Sequence, residues 1–248
     1  MNLGVKQVMI DVIYLAGGSG VRTDLGYPKQ FARIGGKPII VYGLETLNKI
    51  DEIGNIIIPC EDDCVDNIGK LTNEYNITKH IIPVPAGETR QESVYNGLNF
   101  DGCESNLTEY VLICEAVRPF MSVDLVNTVI NSNNDVVVPI SSSVATVAMY
   151  DKYRNVYTFD RDNCGQVQMP QKFKTDILLE CHKAAIESKN THTDDLALVL
   201  INSIMTKYKS IEDINIIKGE EQNIKITTPL DLHIAEAILK YKAGDKIE

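Results

Sequence analysis

Five short runs dense in valine, isoleucine and leucine punctuate the chain: Val8 to Ala16, Ile56 to Pro59, His80 to Val84, Tyr110 to Cys114 and Asp135 to Val138. Their apolar positions are nearly continuous, as in strands covered on both faces of a parallel sheet. Helical spacing fills the gaps. Pro38 opens a stretch with Ile40, Leu44 and Leu47 on one side, since proline is tolerated in a first turn. After Ser122, the residues Val123, Val126 and Ile130 make one stripe. Thr228-Pro229-Leu230-Asp231 reads as a capped helix start, with Ile234, Ala235, Ile238 and Leu239 as its apolar face. The alternation predicts βαβ crossovers and an α/β fold: a mostly parallel sheet flanked by helices. From Ser141 to Phe159 the pattern changes, and Val144 to Tyr150 and Asn155 to Phe159 read as two strands around a polar Asp151 to Arg154 turn. Such a hairpin has no core of its own, so it packs on a partner subunit or extends the sheet as an antiparallel edge. With no repeat or linker, one domain over residues 1–248 is expected, with an inserted β-arm at about 141–165 that joins a homodimer.

Charge narrows the partners. The 248 residues carry a net charge of −10, with a pI near 4.9. This opposes a duplex-binding or membrane-surface footprint, which needs lysine and arginine massed on one face. A small polyanion can still be held by a few local cations. The longest apolar run, Leu196 to Ile201, falls far short of the roughly 20 residues that cross a bilayer. The start, Met1 to Gln7, holds no signal-peptide core, so a cytoplasmic protein is expected. Cys60, Cys64, Cys103, Cys114, Cys164 and Cys181 form no CxxC pair and are expected as reduced thiols. Cys60 and Cys64 flank Asp62 and Asp63, but no second ligand pair follows, and the four histidines lack metal spacing; no protein metal centre is expected.

The first strand runs into Leu15-Ala16-Gly17-Gly18-Ser19-Gly20-Val21-Arg22, followed by Pro28-Lys29-Gln30-Phe31. Three glycines in four positions let backbone N–H groups close around phosphate oxygens, and Arg22 and Lys29 add charge. The loop is not a Walker A motif, and the dinucleotide motif fails because Thr23 stands where its third glycine belongs.

Five further segments follow in order: Pro28-Lys29-Gln30, Gly35-Gly36-Lys37-Pro38, Val117-Arg118-Pro119-Phe120, Pro170-Gln171-Lys172-Phe173 and Asn223-Ile224-Lys225-Ile226-Thr227. With the glycine loop they resemble the cytidylyltransferase family that includes 2-C-methyl-D-erythritol 4-phosphate cytidylyltransferase and ribitol-5-phosphate cytidylyltransferase. The resemblance implies a Rossmann-like domain in which CTP lies over Leu15 to Gly20, with Arg22, Lys29 and Lys225 as the catalytic cations. Fixed cations suit attack at the α-phosphorus, because negative charge gathers on equatorial and leaving oxygens. It also implies that Gly87, Glu88, Arg90 and Ser93 belong to the nucleotide-recognition stretch, Ser93 and the Gly87-Glu88 turn reading the base, and that Arg161 reaches the acceptor phosphate of a neighbouring subunit. Mg²⁺ is expected mainly on the CTP phosphates. No general base is needed, since a phosphate monoester has its second pKa near ~6.

The departures fall on the acceptor side. Glu115 replaces the family's central aspartate, Cys114 the preceding histidine, Met169 the threonine before Pro-Gln, and Ala145-Thr146 an Asp-Thr pair. Glu115, Arg118, Thr146, Arg161 and Thr193 are the expected acceptor contacts. The expectation is transfer of CMP to a phosphorylated polyol of the ribitol type, a surface-glycan precursor, with release of pyrophosphate. The alternatives are the methylerythritol phosphate enzyme of isoprenoid-precursor synthesis and a CTP-binding protein that has lost turnover.

Overall fold

A computed structural model describes residues 9–18, 26–100, 107–206 and 214–244. Eight strands form the main sheet. Their order begins with β10 (Gly165–Val167), β7 (Val136–Ser142), β11 (Gln171–Lys174) and β6 (Tyr110–Glu115), then β1 (Ile10–Leu15), β4 (Ile53–Cys60) and β5 (Ile81–Pro85); β12 (Ile214–Lys218) pairs with β7. β10 and β11 run antiparallel to their neighbours and the remaining pairings are parallel.

Alternation along each strand explains why the apolar runs are continuous. Val12 and Tyr14 on β1, Leu112 and Cys114 on β6 and Val137 on β7 face one layer, closed by α1 (Ile39–Asn48), α2 (Asp62–Glu74) and α4 (Val123–Ile130). Their neighbours Ile13, Val111, Ile113, Val136 and Val138 face the other layer, closed by α3 (Arg90–Leu98), α5 (Thr175–Glu187) and α6 (Asp195–Asn202). Each face therefore excludes water from every second residue. A third cluster joins α7 (Pro229–Ala243) through Ala235 to Ile34, Ile39, Phe120 and Ile226, beside the small ladder of β2 (Arg33–Ile34) and β3 (Lys37–Pro38). The expected α7 face is only partly right: Ala235 is buried, but Ile234 is 41% exposed.

The chain moves from β1 outward to β4 and β5, then crosses back to β6 on the other side of β1. That reversal opens a crevice beyond the carboxyl ends of β1 and β6, the usual ligand position in open parallel sheets. The expected hairpin forms as β8 (Val147–Tyr150) and β9 (Val156–Phe159), paired only with each other. Because β7 reaches Ser142 and pairs with β10 from Gly165, the projecting segment begins at 143 and ends at 164.

Candidate active site

The end of β1 is pinned from several directions. Ala16 donates its N–H to the Pro59 carbonyl (3.2 Å), and Ala116 donates to the Leu15 carbonyl (3.0 Å), tying the loop to both neighbouring strands. Gln30 Nε2 donates to the Ala16 carbonyl (2.5 Å), which accounts for the glutamine of the Pro-Lys-Gln segment. Gly17 is required sterically, because a Cβ there would lie 2.7 Å from the Ala86 Cβ. Leu15, Ala16, Gly17 and Gly18 thus border the crevice; Ser19, Gly20 and Arg22 lie outside the described residues.

Opposite Gly17 stands the turn before α3. Glu92 accepts from the N–H groups of Glu88 (2.8 Å) and Thr89 (3.3 Å), and its own N–H donates to Thr89 Oγ1 (3.1 Å), a reciprocal capping box. Ser93 Oγ accepts from Gly87 N–H (3.0 Å) and donates to the Thr89 carbonyl (3.0 Å), so its hydroxyl shapes the turn. In that turn Gly87 is half-buried and Glu88 exposed.

At the end of β6 three cations gather around one buried carboxylate. Glu115 is 7% exposed, with Oε1 2.8 Å from Lys225 Nζ and 3.4 Å from Arg90 Nε, and Oε2 3.0 Å from Arg118 Nε. Burial alone would raise its pKa; Lys225, Arg118 and Arg90 outweigh burial and bring it down to about 2. Arg118 Nη1 also donates to the Asn223 carbonyl (2.8 Å), and Asn223 Nδ2 donates to the Met169 carbonyl (2.6 Å). The segment bearing Lys225 is irregular despite its apolar flanks. Between Asn223 and Thr227 no strand forms, and Asn223, Ile226 N–H bound to the Val117 carbonyl (2.9 Å) and the buried Ile226 hold it in place.

Glu115, Arg118, Thr193 and Lys225 line one cavity of about 370 Å³, whose apolar wall includes Val167, Met169, Leu196 and Leu200. Four residues expected from scattered segments are therefore brought together. Arg90, expected with the nucleotide group, reaches this cluster instead, and its other end meets Asp195 (Nη2 to Oδ2, 2.7 Å). Lys29 is 8% exposed and near enough to Asp231 to help lower that carboxyl, although burial opposes this and hydrogen bonds from Thr228 and Thr227 contribute more. Thr146 and Arg161 lie on the projecting segment, exposed and outside the lining of this cavity. Asp195, Asn223 and Gln168 are the site's unforeseen members. Gln168 donates to the Glu220 carbonyl (2.8 Å) and accepts from Glu220 N–H (3.0 Å), bracing the approach to Asn223.

A profile of the 2-C-methyl-D-erythritol 4-phosphate cytidylyltransferase family matches residues 10–241. The chain belongs to this family. Accordingly it is a nucleotidyltransferase of the cytidylyltransferase class, as the ordered segments led one to expect. The 2-C-methyl-D-erythritol 4-phosphate cytidylyltransferase of Clostridium botulinum (strain Okra / Type B1) is 34% identical over 92% of this chain and 96% of that protein. The ribitol-5-phosphate cytidylyltransferase of Vibrio parahaemolyticus is 32% identical over 92% of this cytidylyltransferase and 94% of its own length. Among solved structures, the 4-diphosphocytidyl-2C-methyl-D-erythritol synthase of Anaerococcus prevotii superposes with a TM-score of 0.80 at 29% identity, covering 94% of this chain and 99% of that one. Among the described residues, no helix of this cytidylyltransferase is long and apolar enough to cross a membrane.

Proposed function

We propose that the protein transfers CMP from CTP to the phosphate of 2-C-methyl-D-erythritol 4-phosphate, releasing pyrophosphate. The relatives weigh toward this acceptor over the ribitol type expected from Val117-Arg118-Pro119-Phe120, since the family profile and most of the similar proteins carry the methylerythritol name. The observation that carries the reading is the cavity beside Lys225. Its lining offers Arg118 and Lys225 for an anion, beside Glu115 and Asp194, together with Met169, Val167, Leu196 and Leu200 as apolar surface suited to a branched methyl group. A longer polyol would bury an additional hydroxyl against that wall, and an unpaired buried hydroxyl costs about 1–3 kcal/mol.

In this reading CTP lies between the glycine loop and the Gly87 turn. Lys29 and Lys225 stabilise charge on the reacting phosphates, and the sequence motif assigns Arg22 the same task. The acceptor phosphate needs no base, so alignment and charge supply the rate. Both Glu115 oxygens are engaged by cations, so Glu115 offers no open carboxylate to a metal; Mg²⁺ enters as part of the nucleotide substrate. Val147, Met149, Tyr150, Val156, Tyr157 and Phe159 are exposed on the hairpin, and a second copy is the partner proposed to cover them, bringing its Arg161 to this site.

The test is pyrophosphate release with CTP and a panel of methylerythritol, ribitol and glycerol phosphates. The methylerythritol compound is expected to give the highest kcat/KM; preference for ribitol phosphate overturns the acceptor, and release with none of them overturns the reaction.

A further inference from the structure

Two cations converge on one oxygen of Glu115. Lys225 Nζ holds Oε1 at 2.8 Å, and Arg90 Nε approaches the same atom at 3.4 Å. A guanidinium is a stronger partner for a buried carboxylate than an ammonium, because its planar fork can take both oxygens. Arg90 nevertheless makes the longer contact, because Asp195 draws its far end away: Nη2 stands 2.7 Å from Asp195 Oδ2, an ionic contact not aligned as a hydrogen bond. Asp195 is 1% exposed. Its carboxylate is anchored at the first residue of α6 above the fully buried His182, whose Nε2 is 3.6 Å from Oδ1. The backbone preceding it is fixed as well. Asp194 caps α6 by accepting from Leu196 N–H (2.9 Å) and takes Gln171 Nε2 on its other oxygen (3.1 Å). Gln91, next to Arg90, accepts from His192 N–H (2.8 Å) and donates to the Asn190 carbonyl (3.2 Å), locking the start of α3 to the same loop.

We propose that Asp195 is a positioning residue for the transfer step: by holding Arg90 aside it reserves Glu115 Oε1 for Lys225 and so fixes the ammonium at the mouth of the acceptor cavity. This rests on the reading of Lys225 as a group that contacts the reacting phosphates. Without the Asp195 charge, Arg90 closes on Glu115, and Lys225 swings into solvent. The alternative is that Asp195 merely fills space between α3 and α5.

Conservative variants separate the two, because asparagine keeps the shape and glutamate keeps the charge. Asp195→Asn should lower kcat on the order of tenfold to a hundredfold, the cost of a misplaced group in a transfer step, with a much smaller change in the KM for CTP. Asp195→Glu should recover most of that loss. A second measurement needs no turnover. Reductive methylation of Lys225 by formaldehyde and cyanoborohydride, followed by peptide mass spectrometry, should run several-fold faster in Asp195→Asn than in the unaltered protein. In an Arg90→Gln background, adding Asp195→Asn should change neither readout by more than about twofold, since partners in one chain of contacts are not additive. The proposal is overturned if Asp195→Glu is less active than Asp195→Asn, if Lys225 methylation is unchanged in Asp195→Asn, or if the full loss persists without Arg90. An unaltered protein that releases no pyrophosphate defeats the proposed function, and the methylation measurements then decide this inference alone.

Discussion

Glu115 answers to three cations at once, and replacing it with a neutral side chain of the same length shows what the charge contributes. Glu115→Gln strips Lys225, Arg118 and Arg90 of a shared counter-charge in a buried setting, so a loss of about 3–5 kcal/mol in denaturant unfolding is expected. Its pH dependence has a definite sign. The folded pKa, about 2, lies below the ordinary value of 4.5, so this carboxylate's stabilisation is complete above that ordinary value and drains away as pH falls toward 2. The unfolding midpoint of the unaltered protein should therefore drop through that window more steeply than that of Glu115→Gln, a comparison that chemical denaturation at stepped pH makes directly. Lys225 and Lys29 part company in their surroundings. Lys225 has 38% of its side chain exposed, so Lys225→Ala should cut turnover strongly while moving the thermal midpoint little. Lys29 lies outside the apolar stripes of the sequence yet is 8% exposed, so Lys29→Ala should lower both turnover and the thermal midpoint. Equal thermal midpoints for the two variants would refute that distinction.

The close approach of the β1 loop to the turn before α3 sets a second expectation. Gly17→Ala places a methyl 2.7 Å from the Ala86 Cβ, backbone-borne on both sides, so the loop must retreat. Calorimetric CTP affinity should fall at least several-fold; unchanged affinity would mean that the nucleotide does not use this gap. Elements of this kind were legible where their chemistry is local. β1, β4, β5, β6 and β7 announce themselves as apolar runs, and the Ser122 and Thr228 helix starts follow capping rules, with Ser122 Oγ accepting from Leu125 N–H (3.0 Å) and Asp231 accepting from Thr228 N–H (2.7 Å). β11 was hidden because Gln171-Lys172-Phe173-Lys174 has the composition of a surface segment. Yet Lys172 is 2% exposed, its ammonium 4.7 Å from the centre of the Tyr110 ring and bonded to the Ser132 carbonyl. For the site, ordered motifs located Arg118 and Lys225, and the family resemblance pointed to Glu115 and Thr193 as well; the four share one cavity. The roles of Asp195, two residues beyond Thr193, and of Gln168 stayed hidden, because they depend on partners 105 and 52 residues away in sequence, Arg90 and Glu220, which only the folded chain brings near.

Among the described elements, the hairpin stands apart from the main sheet and carries its apolar side chains in the open. Its strands pair only with each other, and Val144, Tyr150, Tyr153 and Val156 are 90%, 76%, 74% and 65% exposed. Two strands alone are marginal in water, so their order depends on being covered. Replacing Tyr150 and Val156 with glutamate should halve the mass measured by light scattering and weaken acceptor use more than CTP binding, since Arg161 travels with the arm. An unaltered protein of single-copy mass, or a variant that kept the mass of a dimer, would overturn the role proposed for the arm.

Between β10 and β11 the ladder to β7 gains two residues. Val167 faces Ile140 and Gln168 N–H still bonds the Pro139 carbonyl, but Lys172 faces Val137. Because successive side chains point to opposite faces, a surplus of two keeps inside and outside unchanged on both sides of the irregularity. Length at this point is therefore governed by parity. Removing or adding a pair of residues leaves Phe173 in the core, whereas a single deletion near Met169 would turn Phe173 to the other face and Lys172 with it, undoing one layer of the protein along with the Met169 carbonyl that anchors Asn223.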